Sequence, residues 1–317
     1  MFVYSIFMDG EVNETYLTLD GHVELHKYRY LYFVVTLTVY IFIVIANLTI
    51  VYVIWTHENL HEPMYVFIAA LLLNSVVFST NIYPKLLSDF LSEKQIISYS
   101  ACYLQFFLYY CLGASEFSLL AAMAYDRYVS ICKPLQYATI MGRNTVSIYL
   151  SLAWLVPACL IAVMVILNVN VKLCKYNING ILCNNSIYGL HCVDSKVQTV
   201  FGAVVLVLTL LFPLLFIVFT YSRIFIISYR SSKEVRKKAA QTCSPHLLVL
   251  ISFSCLCAFD VIIARLGSNL TNLIRLIMTL QAVLYHPLFN PIIYGLKMKE
   301  ISKQLKRLFS KAKVIHF

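Results

Sequence analysis

Tyr30-Leu-Tyr-Phe-Val-Val-Thr-Leu-Thr-Val-Tyr-Ile-Phe-Ile-Val-Ile-Ala-Asn-Leu-Thr-Ile-Val-Tyr-Val-Ile-Trp55 contains no charged side chain. A helix needs about 20 apolar residues to cross roughly 30 Å of hydrocarbon, so this stretch is long enough to span a bilayer. Four further windows are equally free of Asp, Glu, Lys and Arg: 63–84, 144–171, 197–222 and 276–296. Two more carry one acid each, 99–125 with Glu116 and 247–264 with Asp260. The windows predict an all-α membrane protein, a bundle of seven transmembrane helices.

Composition agrees. The 317 residues are 60% hydrophobic and only 13% charged, with mean hydropathy +0.77, whereas soluble domains carry roughly a quarter charged residues. Nine Gly and eight Pro exclude a collagen-like chain, and ten Cys over this length exclude a small disulfide scaffold.

The loops assign the two sides. Segments 55–62, 126–143, 223–246 and 297–317 hold 16 Lys/Arg and 5 Asp/Glu, against 9 and 8 for the opposite set that includes 1–29. Positive residues stay inside, so the sequence predicts an outer tail over 1–29, a bundle over 30–296 and an inner segment over 297–317, in a multi-pass membrane protein. The +10 net charge is then a cytoplasmic collar facing anionic lipid and a cytosolic partner, not a nucleic-acid footprint. Phe2–Met8 is too short and lacks a basic lead for a cleaved signal, which leaves the first helix as the anchor.

Four cysteines fall on the oxidising side: Cys102 at the start of the third helix, and Cys174, Cys183 and Cys192 in the long loop before the fifth. Two bridges can form there, and a loop so stapled reads as an ordered lid. Asn13-Glu-Thr15 is a glycosylation acceptor on the outer tail, with Asn184 and Asn269 as further outer candidates. Asn47-Leu-Thr49 fits the same pattern but lies inside the first helix, out of reach of glycosyl transfer.

At the inner end of the third helix the chain reads Met123-Ala-Tyr-Asp126-Arg127-Tyr128-Val-Ser-Ile-Cys-Lys-Pro-Leu-Gln-Tyr137. Four other segments accompany it in order: Pro63-Met-Tyr65, Thr220-Tyr221, Lys238-Ala-Ala-Gln-Thr-Cys-Ser-Pro-His246 and Pro287-Leu-Phe-Asn290-Pro291-Ile-Ile-Tyr294. This set closely resembles the signature motifs of odorant receptors, a branch of the rhodopsin-like G-protein-coupled receptors, and the wording around Glu62–Ser75 leans toward the fish-like branch. The resemblance implies disulfides Cys102–Cys183 and Cys174–Cys192. It also implies a small-molecule odorant as ligand, an olfactory stimulatory Gα as partner, cyclic AMP as output, a sensory-neuron membrane, no enzymatic activity and no cofactor.

Residue by residue, Tyr109, Glu116 and Arg127 share one helical stripe that should face the bundle interior. Asp126 can hold Arg127 in a charge-assisted pair; by resemblance, activation frees Arg127 to meet Tyr221, Tyr294 and the G protein, and Lys237 and Lys238 join the coupling surface. Alternatively, Arg127 simply snorkels at a helix end. Pro291, beside Asn290, removes a backbone hydrogen bond where a receptor needs a hinge. Met298, Ile301, Leu305, Leu308 and Phe309 recur at helical spacing among Lys and Arg, predicting a short amphipathic helix on the inner leaflet.

Two positions depart from the family pattern. Ser75 stands where relatives carry the Asp that shares a sodium ion with the third-helix acid. Glu116 alone binds sodium less tightly, or takes up a proton when desolvated. Phe253-Ser254-Cys255 replaces Phe-Tyr-Gly, removing an aromatic hydroxyl from the cavity floor. By helical phase and resemblance the ligand cavity is walled by Tyr109, Tyr110, Gly113, Ala114, Ser254, Cys257 and Val261, with Asn185 and Ser186 from the lid. Arg265, roughly 28 Å beyond His246 along the helix, either grips an acidic water-soluble odorant or snorkels at the interface. Asp260 has no assignable role. A transporter would want internal repeats and a hydrolase a Gly-x-Ser-x-Gly or His-Glu-x-x-His motif, none of which is found.

Overall fold

Most of the helices outrun the charge-free windows that foretell them. The computed structural model describes residues 15–22, 25–169, 171–193, 195–231, 233, 237, 243–244, 246–255 and 272–315. The first three spans are α1 (Leu25–Thr56), α2 (Pro63–Leu91) and α3 (Tyr99–Cys132). After a short helix α4 (Tyr137–Ile140) comes the fourth span, α5 (Arg143–Val169). The fifth is α6 (Lys196–Leu206) continued by α7 (Phe212–Tyr229). The described part of the sixth is α8 (His246–Cys255); the seventh is α9 (Asn272–Lys297), followed by α10 (Lys299–Ile315). Among the described residues, five helices are long and apolar enough to cross a membrane: α1, α2, α3, α5 and α6–α7.

The extra turns are charged residues that the windows excluded but that still have partners. Arg29 donates from Nε to Phe90 O at 3.3 Å and from Nη2 to Leu91 O, closing carbonyls that the end of α2 leaves open. Lys85 pairs with Asp89 one turn on. A backbone break at Tyr28 marks where α1 bends into its span.

Burial separates centre from rim. In its most apolar window α2 is 61% buried and α3 56%, against 17% for α1, α5 and α6–α7, so α2 and α3 form the axis and the others turn apolar faces outward. One core at the α10 end joins Ile50, Leu71, Leu120, Ile217, Phe253 and Tyr294. A second lies under the lid around Leu17, Phe106, Ile178 and Cys183, and a third joins α1, α2 and α9 through Ile43, Tyr83 and Val283.

Val207–Leu211, between α6 and α7, is a π turn. Pro213 has no N–H for the carbonyl of Thr209, and widening the turn just before it relieves the ring clash; the hydroxyl of Thr209 itself turns back to Val205 O at 2.8 Å.

The opposite end of the bundle carries a small sheet that the windows do not foretell. Within the stretch read as a tail, β1 (Tyr16–Leu19) is the middle strand of the order β2-β1-β3, antiparallel to β2 (Ile96–Ser98) and parallel to β3 (Asn177–Ile178). Leu17 and Leu19 point into the core while Tyr16 and Thr18 alternate with them. Both bridges implied by the resemblance are present, Cys102–Cys183 with S–S 2.05 Å and Cys174–Cys192 with 2.08 Å. The lid is thus tied to α3, closed on itself and stitched to the N-terminal strand.

Candidate functional site

Three layers of polar side chains run down the axis. At the α10 end, Asp126 is completely buried; its Oδ2 accepts from Arg127 Nε at 2.8 Å and from Nη2, and its Oδ1 accepts the Tyr137 hydroxyl at 2.8 Å. Burial, reinforced by the Asp126 carboxylate, holds the Tyr137 phenol above its usual range, so it remains a donor. Arg127 reaches a small cavity lined with Met64, Ile68, Met123, His246, Tyr294 and Met298. Tyr221, from α7, is hydrogen-bonded to Nδ1 of His246 on α8. Residues of the third, fifth, sixth and seventh spans therefore meet around one guanidinium.

In the middle layer, Asn290 Nδ2 donates to Glu116 Oε1 at 3.0 Å and to Ser75 Oγ at 3.2 Å, joining α9 to α3 and α2. One carboxylate with an amide and a hydroxyl is a sparse donor set for sodium, and the residues fit such an ion poorly. Asn47 solves a different problem. Pro291 offers no N–H to the carbonyl of Pro287, and Asn47 Nδ2 donates to that oxygen at 2.8 Å. Asn74 accepts from Trp154 Nε1 at 3.1 Å and donates to Leu112 O at 3.0 Å, which ties α2 to α5 and α3.

Toward the sheet end, Phe253 stacks on Phe117 at 4.3 Å and meets His286 edge-on at 4.1 Å. On α3, a β-carbon added at Gly113 would meet nothing within 4 Å among the described residues. Ser254 Oγ is buried with no hydrogen-bond partner among the described residues. The two tyrosines meet edge-to-face at 5.1 Å but serve different clusters: Tyr109 packs on Phe78 in the α1–α2–α9 core, whereas Tyr110 reaches the lid and accepts from the backbone N of Asn185 at 3.0 Å. Gln105 accepts from the backbone N of Cys183 at 2.9 Å, one turn below the disulfide.

The profile of the olfactory receptor family matches residues 36–312. Human olfactory receptor 11A1 is 33% identical over 307 residues, covering 96% of both chains. The chain belongs to the olfactory receptor family. Olfactory receptor 13C2, also human, is 33% identical across 92% of this chain and 93% of its own, and human olfactory receptor 51E1 is 31% identical across 95% of each. The receptor is accordingly a multi-pass membrane protein of the G-protein-coupled type and not an enzyme.

Of the residues expected at the receptor's ligand cavity, Tyr109, Tyr110, Gly113, Ala114, Asn185, Ser186 and Ser254 are described; Cys257, Asp260, Val261 and Arg265 lie outside the described residues, as do Asn13, Lys238 and Asn269. Tyr110 accepts from the lid backbone, and its ring packs against the cluster beneath the lid. Asn184 Oδ1 is engaged by Ser186 N at 3.1 Å and Ser186 Oγ at 2.8 Å. Of the switch residues, Arg127 meets Asp126 and shares its cavity with Tyr294 and with His246, which Tyr221 contacts; Asn290, followed by Pro291, lies in the middle layer on Glu116 and Ser75, Tyr128 is half-buried beside Tyr125, and Lys237 is exposed. Sequence reasoning passed over Gln105, Tyr137, Trp154 and His286. Gln105 had a signal, a polar side chain three residues past Cys102 in an apolar run.

Proposed function

We propose that the receptor holds a small odorant between the helices under the disulfide-tied lid and, when occupied, activates a stimulatory olfactory G protein that raises cyclic AMP. Residues 1–29 then face outward and α10 lies on the inner leaflet of the plasma membrane, in sensory neurons for an olfactory role. The observation that carries the reading is the buried Asp126–Arg127–Tyr137 lock beside the Tyr221–His246 contact. It holds Arg127 where an outward swing of the sixth span would release it. A ligand moving the active fraction from 1:99 to 99:1 needs only about 5.5 kcal/mol of differential affinity, within reach of a few buried contacts.

The reading of Gly113 and Ser254 as cavity positions is supported by the space beside Gly113 and by the unpartnered Ser254 hydroxyl, both among the described residues. The inner collar, with Arg230, Lys233 and Lys237 exposed, and the exposed Leu308 of α10 meet G protein and lipid, while Ile301 and Leu305 of α10, with Met298 just before it, hold that helix against the core. The test is to express the chain with a stimulatory Gα and record cyclic AMP against acidic, neutral and basic water-soluble odorants. A response to any class supports the reading; silence across the panel at confirmed surface expression counts against it.

The finer proposal is that Arg265 selects carboxylates. Arg265→Ala is then expected to abolish responses to acids while leaving surface expression and neutral odorants unchanged, and an unaltered dose response would remove Arg265 from the site.

A further inference from the structure

Among the buried, unpartnered polar atoms of the outer cap, two belong to titratable side chains that no feature of odorant binding or coupling uses. His22 follows β1 at the turn into α1. Its ring lies edge-on to Phe90 with centroids 5.9 Å apart, and its Nδ1 is 3.4 Å from Leu19 O. The other ring nitrogen, Nε2, is buried without a partner among the described residues. Asp89, the residue before Phe90, is 1% exposed; its Oδ1 pairs with Lys85, and its Oδ2 is likewise buried without a partner.

The charged groups that act on His22 are Asp89, which favours a proton on the ring, and Lys85, which opposes it. From the other described elements, Arg29 on α1 is directed to the carbonyls of Phe90 and Leu91, and Asp20 on the β1 turn accepts from Asn177. The side chains of Glu24 and His26 lie outside those described.

We propose that His22, with Asp89 beside it, is a proton-binding site through which acid on the N-terminal side releases β1 from the lid. Burial lowers the proton affinity of His22 below that of a free imidazole. A cap in which the ring is rehydrated, or turned onto Asp89 Oδ2, binds the proton more tightly than the closed one. The sign follows: a histidine whose affinity is depressed by folding stabilises the closed cap above its free pKa, and acidification below about 6.5 shifts the population toward the open form. What opens is the seam that holds the lid. The backbone N–H groups of Thr18, Asp20 and Gly21 donate to Tyr176, Ile178 and Gly180 of the lid, and that of Leu19 to Gln95 just before β2, so the strand leaves both neighbours as a unit. The consequence for odorant potency rests on the lid function proposed above; the seam itself does not.

The test is hydrogen–deuterium exchange on the purified full chain in nanodiscs without odorant, between pH 8 and 4.5 and corrected for intrinsic exchange. The four seam amides should lose protection on acidification, with a half-point above pH 5. At pH 5.5 the loss should be several-fold, its ceiling about tenfold for an ordinary imidazole one unit below its pKa. Amides of α10 should not move. His22→Asn, whose amide can keep the contact to Leu19 O, should be protected as in the parent at pH 7.5 and stay so at 5.5. Protection in the parent that is unchanged by acid, or that falls only below pH 5 where carboxylates titrate, overturns the proposal. So does a His22→Asn chain that loses protection as the parent does. Should His22→Asn be open at every pH, the half-point in the parent still decides. The measurement needs neither an odorant nor a G protein, so silence in the cyclic AMP assay leaves it standing.

Discussion

Arg127→Ala is expected to reduce the odorant-evoked cyclic AMP rise at least tenfold at matched surface level. Two effects contribute and must be separated. Asp126 is fully buried, and its oxygens are served only by Arg127 and Tyr137 among the described residues. Deleting the guanidinium strands that carboxylate, a loss of about 3–5 kcal/mol for a broken buried pair. Some of the protein will therefore fail to reach the surface, which is why the comparison is made at equal surface expression. Beyond stability, the mutant lacks the cation that, among the described residues, stands beside the third, sixth and seventh spans and the Tyr221–His246 contact. Asp126→Asn separates the two readings, because it weakens the restraint on Arg127 while keeping an acceptor for it. Its basal cyclic AMP should rise where that of Arg127→Ala falls. If both variants merely lose surface level and signal normally per receptor, the pair is a structural tie and not a switch.

The architecture was legible because one physical demand dominates it. A span must satisfy its own backbone and present apolar side chains to lipid, so charge-free windows locate helices with little interference from tertiary context. Their ends were not legible for the same reason. Arg29 and Asp89 fall outside a charge-free window yet belong to helices, since one closes carbonyls at the end of α2 and the other pairs within its own helix. The strand β1 was missed differently. Its alternation, Leu17 and Leu19 in with Tyr16 and Thr18 out, is only four residues long, and its partners lie about 80 and 160 residues away. Nothing local predicts a pairing made by loops from three parts of the chain.

The site divides along the same line. Motif residues that act through the helix bearing them could be placed from phase alone: Glu116 and Arg127 are both buried on the inner stripe of α3. Residues whose task is to satisfy another element's backbone could not. Asn47 reads as a stray glycosylation acceptor until the carbonyl freed by Pro291 is found against it. The tie between the Tyr110 hydroxyl and the backbone of Asn185 in the lid is equally invisible in the sequence. Such debts arise only when the partner element is in place, so they become visible in three dimensions and not before.

Gly21→Val is the second substitution expected to have a large effect, and Gly180→Ala supplies its control. A β-carbon on Gly21 would stand 2.5 Å from the carbonyl carbon of Gly180 and 2.6 Å from its Cα, distances that backbone cannot yield by rotating a side chain. The two chains touch there because Gly21 N donates to Gly180 O at 3.2 Å, the last rung between the N-terminal strand and the lid. Any side chain at 21 must push the strand end away from the lid. The reverse substitution meets no such obstacle, since a β-carbon on Gly180 would find its nearest neighbours at 3.6–3.8 Å, ordinary contact. Displacing the strand also lifts Leu17 and Leu19, at 1% and 2% exposure, from the core they share with Cys183 and Ile178. Each such side chain is worth about 1.5–3 kcal/mol when fully buried, and losing part of that for both is enough to lower abundance several-fold. Surface labelling should therefore show a several-fold fall for Gly21→Val, a smaller fall for Gly21→Ala and parental levels for Gly180→Ala. Equal levels for all three would mean that the strand does not hold the lid. Since the lid is fixed to α3 by Cys102–Cys183 in any case, the protein that does reach the surface should keep its disulfides and lose ordered lid geometry, which odorant potency would report as a rightward shift.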